Sequence, residues 1–345
     1  MIEEKNTPEE NNTEESTTSP MNSPAVDTEQ TSNVVQQNVA DIKTELNKVL
    51  IGMDNAIEET LAALFTNSHV LLEGFPGVAK TLLVKLLSQA ISVDFKRIQF
   101  TPDLMPSDVL GTMVFDQKNG DFSFHKGPIF TNFVLIDEIN RSPAKTQSAL
   151  FEVMEERQIT MEGTTYPLAY PFLVIGTQNP IDQEGTYRLP EAQLDRFVFK
   201  IKVPYPNAED ELAILERFQN DFDRKIEENV SSILNKDSLK ECENYIQQIH
   251  IDKQILGYIT QIIQATRNHQ SIYLGASPRA SLAIMRVSKA FAAMAGRNFV
   301  KPDDVQRACH PVLNHRLIPS ATAEMEGFTT NDIIESILED IEVPR

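Results

Sequence analysis

Lys80 and Thr81 stand side by side after the turn Gly74-Phe75-Pro76-Gly77-Val78-Ala79, which itself follows the apolar run Val70-Leu71-Leu72. An amine and a hydroxyl after a Gly- and Pro-containing turn suit a phosphate. Successive backbone N–H groups and a helix N-terminus form an anion cradle. In that chemistry Lys80 reaches the β- and γ-phosphates and Thr81 binds Mg2+. Gly74, Pro76, Gly77, Val78, Ala79 and Leu82 complete the nucleotide-binding side of the loop. One position departs from the pattern G-x-x-x-x-G-K-[ST]: Ala79 holds the place of the last glycine. Ala suits that place if the backbone there is helical, since glycine is needed only for positive φ or close approach. An ordinary strand–turn–helix with a surface lysine has the same local look, so the residues downstream decide.

Asp137-Glu138 ends a second apolar run, Phe133-Val134-Leu135-Ile136. Asp137 can hold the Mg2+ that Thr81 binds, and Glu138 can polarise a water for attack on the γ-phosphate. Asn179 follows a third run, Leu173 to Thr177, where a neutral donor can orient that water or sense the phosphate. Arg196 lies in a turn after a short helix and need not face its own nucleotide. In an oligomer it can reach a neighbour's γ-phosphate as an arginine finger. Arg188 and Arg141 are further candidates for that role. Arg279 follows Ser277-Pro278, a helix start, where a cation opposes the helix dipole, which suggests that it is aimed at an anion. These groups are all expected at strand C-termini or helix starts, the edge at which open α/β sheets bind ligands. The six histidines show no metal-ligand spacing, and His310 and His315, five apart, do not share a helix face, so all six read as structural.

These groups need a frame. Strands alternate with helices from 70 to 203, which predicts βαβ units and a parallel sheet. A hairpin at 114–124 turns at Asn119-Gly120, and a second spans Gln158 to Phe172. After Pro206 no strand pattern returns, and helices are expected at about 208–220, 237–250, 252–268, 278–296, 302–315 and 329–342. The expected fold is therefore an α/β domain over 34–205 with a smaller all-α domain over 206–345. Residues 1–33 are nearly free of apolar side chains and read as a disordered acidic tail.

Net charge is −19 with a pI near 4.8, which opposes a main role on nucleic acid, since phosphate contacts need clustered Lys and Arg. Cys242 and Cys309 lie far apart without a C-x-x-C, so buried thiols in a reducing compartment are expected. No apolar run reaches membrane-span length and no secretory signal is visible, so the reading is cytoplasmic, with no direct membrane insertion.

Taken together, the chain is similar to the AAA+ P-loop ATPases, and within them to the MoxR family of the helix-2-insert group. The likeness covers about 34 to 342. It rests on Gly74 to Thr81, Phe100 to Asp108, Gly127-Pro128-Ile129-Phe130, Asp137-Glu138-Ile139-Asn140-Arg141, Thr177-Gln178-Asn179-Pro180, Glu191 to Phe197 and Gly275-Ala276-Ser277-Pro278-Arg279. Ala before the loop lysine is common in that family. The resemblance implies Walker A at Lys80 and Thr81, Walker B at Asp137 and Glu138, sensor 1 at Asn179, the arginine finger at Arg196 and sensor 2 at Arg279. Ile51-Gly52 matches the segment lining the adenine pocket, and the 114–124 hairpin matches the helix-2 insert. It further implies ATP and Mg2+ as cofactors and a ring, typically hexameric, that remodels or matures client proteins, often with a partner carrying a von Willebrand factor A domain. The alternatives are a metal-chelatase motor subunit, a nucleic-acid-linked motor, and a nucleotide-gated scaffold with negligible turnover. The acidic charge opposes the nucleic-acid motor, and the Asp137-Glu138 pair with Arg196 opposes the scaffold.

Overall fold

The computed structural model describes residues 28–118, 120–180, 189–219 and 230–344. Most of the acidic tail, Asn119 of the first hairpin and Arg188 lie outside the described residues. Among the described residues, no helix is long and apolar enough to cross a membrane.

Two helices, α1 (Thr28–Asn47) and α2 (Asp54–Phe65), precede β1 (His69–Gly74) and α3 (Lys80–Ala90). Then follow β2 (Phe95–Gln99), α4 (Pro106–Leu110), the hairpin β3 (Gly111–Asp116) and β4 (Asp121–Lys126), β5 (Phe133–Asp137) and α5 (Ala144–Glu156). The second hairpin, β6 (Gln158–Met161) and β7 (Thr164–Pro167), leads to β8 (Leu173–Gln178), α6 (Glu191–Leu194) and β9 (Phe197–Val203). The remainder is α7 (Ala208–Phe218), α8 (Lys236–Gln248), α9 (Lys253–Asn268), β10 (Ile272–Leu274), α10 (Pro278–Met294), α11 (Pro302–Leu313), β11 (Ile318–Pro319), α12 (Ala321–Met325) and α13 (Thr330–Asp340).

The main sheet runs β2-β5-β8-β1-β9, and every neighbouring pair is parallel. The apolar runs explain why these strands are central. Phe133 and Leu135 of β5 pack into the core shared with α3 and the C-terminal helices, while Val134 and Ile136 face the core with α5. A strand apolar on both faces must be covered on both, which is what βαβ crossovers do. The register aligns the C-terminal ends: Gln99 is opposite Asp137, Ile136 opposite Gly176, and Glu73 opposite Gln178.

Two expectations need correction. Helix α1 starts at Thr28, although the tail was expected to run to residue 33. No Pro or Gly falls between 28 and 47 to interrupt the helix, which buried Val35, Val39 and Ile42 anchor. The C-terminal unit is not purely helical either. Ile272–Leu274 pairs antiparallel with Ile318–Pro319, a ribbon too short to show alternation in sequence, and α12 follows it.

His69 at the start of β1 has a consequence for acid stability. Its ring is buried, Nδ1 accepts the Val174 N–H at 3.0 Å, and Nε2 lies 3.0 Å from the Met154 carbonyl. That arrangement satisfies a neutral ring whose Nε2–H donates. Burial, reinforced by the Arg157 charge, pushes its pKa down to about 4. The unfolded ring titrates near 6.5, so between the two values the unfolded chain binds more protons and stability drops as the pH is lowered. We expect about 2–3 kcal/mol from this ring to be lost on going from pH 7 to 4.5. His315, also held well below its ordinary value by burial, acts in the same direction. Urea midpoints at both pH values for the wild type and His69→Gln isolate the His69 share. An equal pH slope in the two proteins would refute it.

Candidate functional site

The loop between β1 and α3 is built on two left-handed residues. Gly77 has φ 87°, and Ala79 has φ 57° and ψ 21°. The expected helical backbone at Ala79 is therefore not found. The chain reverses tightly there before entering α3, which requires positive φ at a residue with a Cβ, a strain on the order of 1–2 kcal/mol. Lys80 Nζ folds back onto the loop, donating to the Gly74 carbonyl and, at 2.8 Å, to that of Phe75. Burial lowers its pKa, while the Asp137 and Glu138 charges pull it upward.

Asp137 ends β5 and is 7% exposed. Its Oδ1 accepts from the Thr177 hydroxyl at 3.0 Å and its Oδ2 from Arg97 Nε. The same Thr177 Oγ1 accepts the Glu138 N–H at 3.0 Å, so one hydroxyl on β8 fixes both acidic residues. Glu138 itself is left-handed, with φ 56°. Strain of this kind persists where neighbours over-determine it. The Glu138 carboxylate accepts from Gln99 Nε2 at 3.3 Å and pairs with Arg141 Nε at 3.0 Å.

Lys80, Thr81, Asp137, Glu138 and Asn179 line one cavity of about 370 Å³, at the C-terminal edge of the sheet. Sequence reasoning missed Arg97, Gln99 and Thr177, which line it too. Arg97 and Gln99 are alternate residues of β2, and pairing β2 with β5 places Gln99 beside Asp137. That pairing was the available signal. A second cavity, of about 670 Å³, shares Gly77, Val78, Ala79 and Leu82 with the first and includes Ile51 and Gly52. Gly52 has φ 71°, and a Cβ there would stand 2.5 Å from Asp210 Oδ2 on α7, so the wall is closed to larger residues. Phe75 stacks on Tyr205, with centroids 4.7 Å apart, and ties the loop to the segment after β9.

Arg196 and Arg279 are not in either cavity. Both pair with Glu155 at the end of α5, each at 2.9 Å. The cavity they line includes His69, Asp195 and Arg316. His69 opens β1 and pairs with Phe197, which opens β9, so the two arginines sit at the N-terminal edge of the sheet. β1 has six residues, which separates the two edges by roughly 17 Å at about 3.3 Å per residue. Arg279 opens a helix, as expected, but this pair does not share the sheet edge at which the other candidates lie. Arg196 precedes a strand parallel to β1, and α10 starts on the same side. Arg141 stays at the nucleotide side, on Glu138.

The cavity at the C-terminal edge has the layout of a nucleotide site, and comparison with known proteins agrees. The family described as "ATPase family associated with various cellular activities (AAA)" matches residues 69–199, and "AAA lid domain" matches residues 264–337. The chain is 44% identical over 299 residues to the uncharacterized protein YeaC of Bacillus subtilis, covering 87% of this chain and 92% of that protein. It is 39% identical over 310 residues to Chaperone MoxR1 of Mycobacterium tuberculosis, covering 87% of this chain and 81% of that one. A crystal structure of a Cytophaga hutchinsonii protein superposes with a TM-score of 0.84 at 43% identity, covering 92% of this chain and 98% of that one. A likeness of this depth, spanning both the sheet and the helical lid, makes the chain an ATPase of the MoxR family of AAA+ proteins.

Proposed function

We propose that the protein acts as a ring, typically hexameric, in which each subunit's ATP is completed by Arg196 and Arg279 of its neighbour. The observation that carries this reading is the sharing of Glu155 by those two arginines at the edge opposite their own nucleotide loop. An arginine at the sheet edge opposite its own nucleotide loop, roughly 17 Å away along β1, suits another subunit's phosphates rather than its own. Residues 34–205 then form the motor and 206–345 the lid.

Within the site, Lys80 and the loop N–H groups bind phosphate, Ile51 and Gly52 bound the base, and Asn179 orients the attacking water. Glu138 takes that water's proton. Thr81 and Asp137 offer a hydroxyl and a carboxylate in one cavity, hard oxygen donors that fit Mg2+. Mg2+, when bound, neutralises charge on the β- and γ-phosphate oxygens. Arg97 and Thr177 hold the Asp137 carboxylate in place for it.

The work done by hydrolysis is remodelling or maturation of client proteins, with a partner carrying a von Willebrand factor A domain. The chaperone name of the Mycobacterium relative supports the client reading, and the family resemblance supports the partner. The test of the ring is a dilution series. Turnover per subunit should fall as protein is diluted, in step with loss of oligomer in sedimentation. Constant turnover down to the monomer would defeat the shared-site reading.

A further inference from the structure

Arg316 is the buried arginine among the described residues, at 9% exposure. It stands just past α11, in the lid. A guanidinium carries five N–H donors, and here each finds an acceptor. Nε donates to Asp195 Oδ1 at 2.7 Å. One terminal nitrogen donates to the Val198 carbonyl at 3.0 Å and to that of Val312. The other donates to the carbonyls of Phe197 at 2.7 Å and Asp195 at 3.1 Å. All but the Val312 bond go to residues 195–198, the segment that carries Arg196. Neighbouring lid residues hold the same strand: His315 Nε2 lies 3.0 Å from the Phe197 carbonyl, and Asn314 Nδ2 donates to the Lys200 carbonyl at 2.9 Å.

Asp195 joins this clasp to a second lid arginine, Arg279. Its Oδ2 accepts from the Ser277 hydroxyl at 3.4 Å and lies 3.9 Å from Arg279. Two lid segments, 277–279 and 314–316, therefore converge on the residue next to Arg196. A buried ion pair is weak support for stability, because well-packed apolar residues often serve as well or better. What a forked donor provides and an apolar residue does not is a fixed geometry for several carbonyls at once.

We propose that Arg316, acting with Asp195, is a positioning residue for Arg196: it fixes the finger segment to the lid so that Arg196 and Arg279 move as one unit. This rests on the reading of Arg196 as a finger for the neighbouring subunit. When the lid shifts, the strand start carrying Arg196 shifts with it, and both cations reach or leave the neighbour's phosphates together.

The test uses Arg316→Lys, which keeps the charge and loses the fork, and Asp195→Asn, which serves if the lysine variant does not fold. Each should lower kcat by about 10²-fold, the scale on which a mis-set catalytic group slows a reaction. Affinity for a fluorescent ATP analogue should stay at the wild-type value, because the variant's own loop is at the other edge of the sheet. Each variant is then mixed with excess Lys80→Ala subunits, which lack the phosphate-binding amine and carry an intact finger segment. Turnover per variant subunit should recover, as should that of Arg196→Ala in a parallel mixture. Recovery by Arg196→Ala but not by Arg316→Lys or Asp195→Asn would overturn the positioning role and leave the shared site standing. Failure of Arg196→Ala to recover would overturn the shared site itself. Wild-type kcat in both clasp variants would also overturn the proposal.

Discussion

Glu138→Gln should bind ATP with wild-type affinity and hydrolyse it about 10²–10⁴-fold more slowly, the range that a positioned general base contributes. The substitution is isosteric, and the surroundings of residue 138 are built to hold the backbone. Its N–H is fixed by the Thr177 hydroxyl, and its left-handed φ is set by the turn into Ile139. Only the proton acceptor is lost. Gln99 and Arg141 keep a neutral amide oxygen within reach in place of the carboxylate they now contact. Equilibrium binding of a fluorescent analogue and single-turnover hydrolysis separate the two effects. Unchanged turnover would remove Glu138 from the chemistry. The ATP-loaded variant is also the form best suited to retain client and partner proteins.

The second large effect is expected at Arg196. Arg196→Ala should lower turnover by on the order of 10³–10⁵, as loss of an arginine finger does. Nucleotide affinity of the isolated subunit should be intact. Arg196 donates to the Ala192 carbonyl at 2.8 Å and pairs with Glu155, and neither residue lines the nucleotide cavity. Glu155 keeps Arg279 as a partner, so the fold loses one half-exposed ion pair, worth little in itself. A kcat within a few-fold of wild type would exclude the finger role. A loss seen only in ATP affinity would instead place Arg196 at its own nucleotide.

The sequence was most legible where chemistry and burial coincide. Val70 to Leu72, Phe133 to Ile136 and Leu173 to Thr177 are continuous apolar runs because those strands are covered on both faces. Their C-terminal ends had to lie together, which brought Lys80, Thr81, Asp137, Glu138 and Asn179 into one cavity. Less legible were features that depend on pairing across the chain. Arg97 lies on β2, and its place beside the acidic pair shows only once β2 is paired with β5. The conformation of Ala79 is set by the reversal of the loop, which residue type alone does not encode. Arg316 shows how a buried cation escapes a sequence reading. Its acceptors are mostly backbone carbonyls more than a hundred residues away, and carbonyls have no signature. The edge occupied by Arg196 could have been deduced, since it precedes a strand and the other candidates follow theirs.

That opposite placement also bears on the symmetry of any assembly. In a two-fold dimer residue i of one subunit meets residue j of the other and j meets i, so an interface holding both edges would finish two ATP sites and stop there. A head-to-tail, heterologous contact instead brings one subunit's Arg196 to the next subunit's Lys80 and leaves an edge open for a further subunit. Repeated without closure, such contacts make a filament whose terminal site always lacks its cations. Repeated with closure, they give as many finished sites as subunits. A single angle, the rotation from one subunit to the next, therefore decides whether every ATP bound is an ATP that can be hydrolysed.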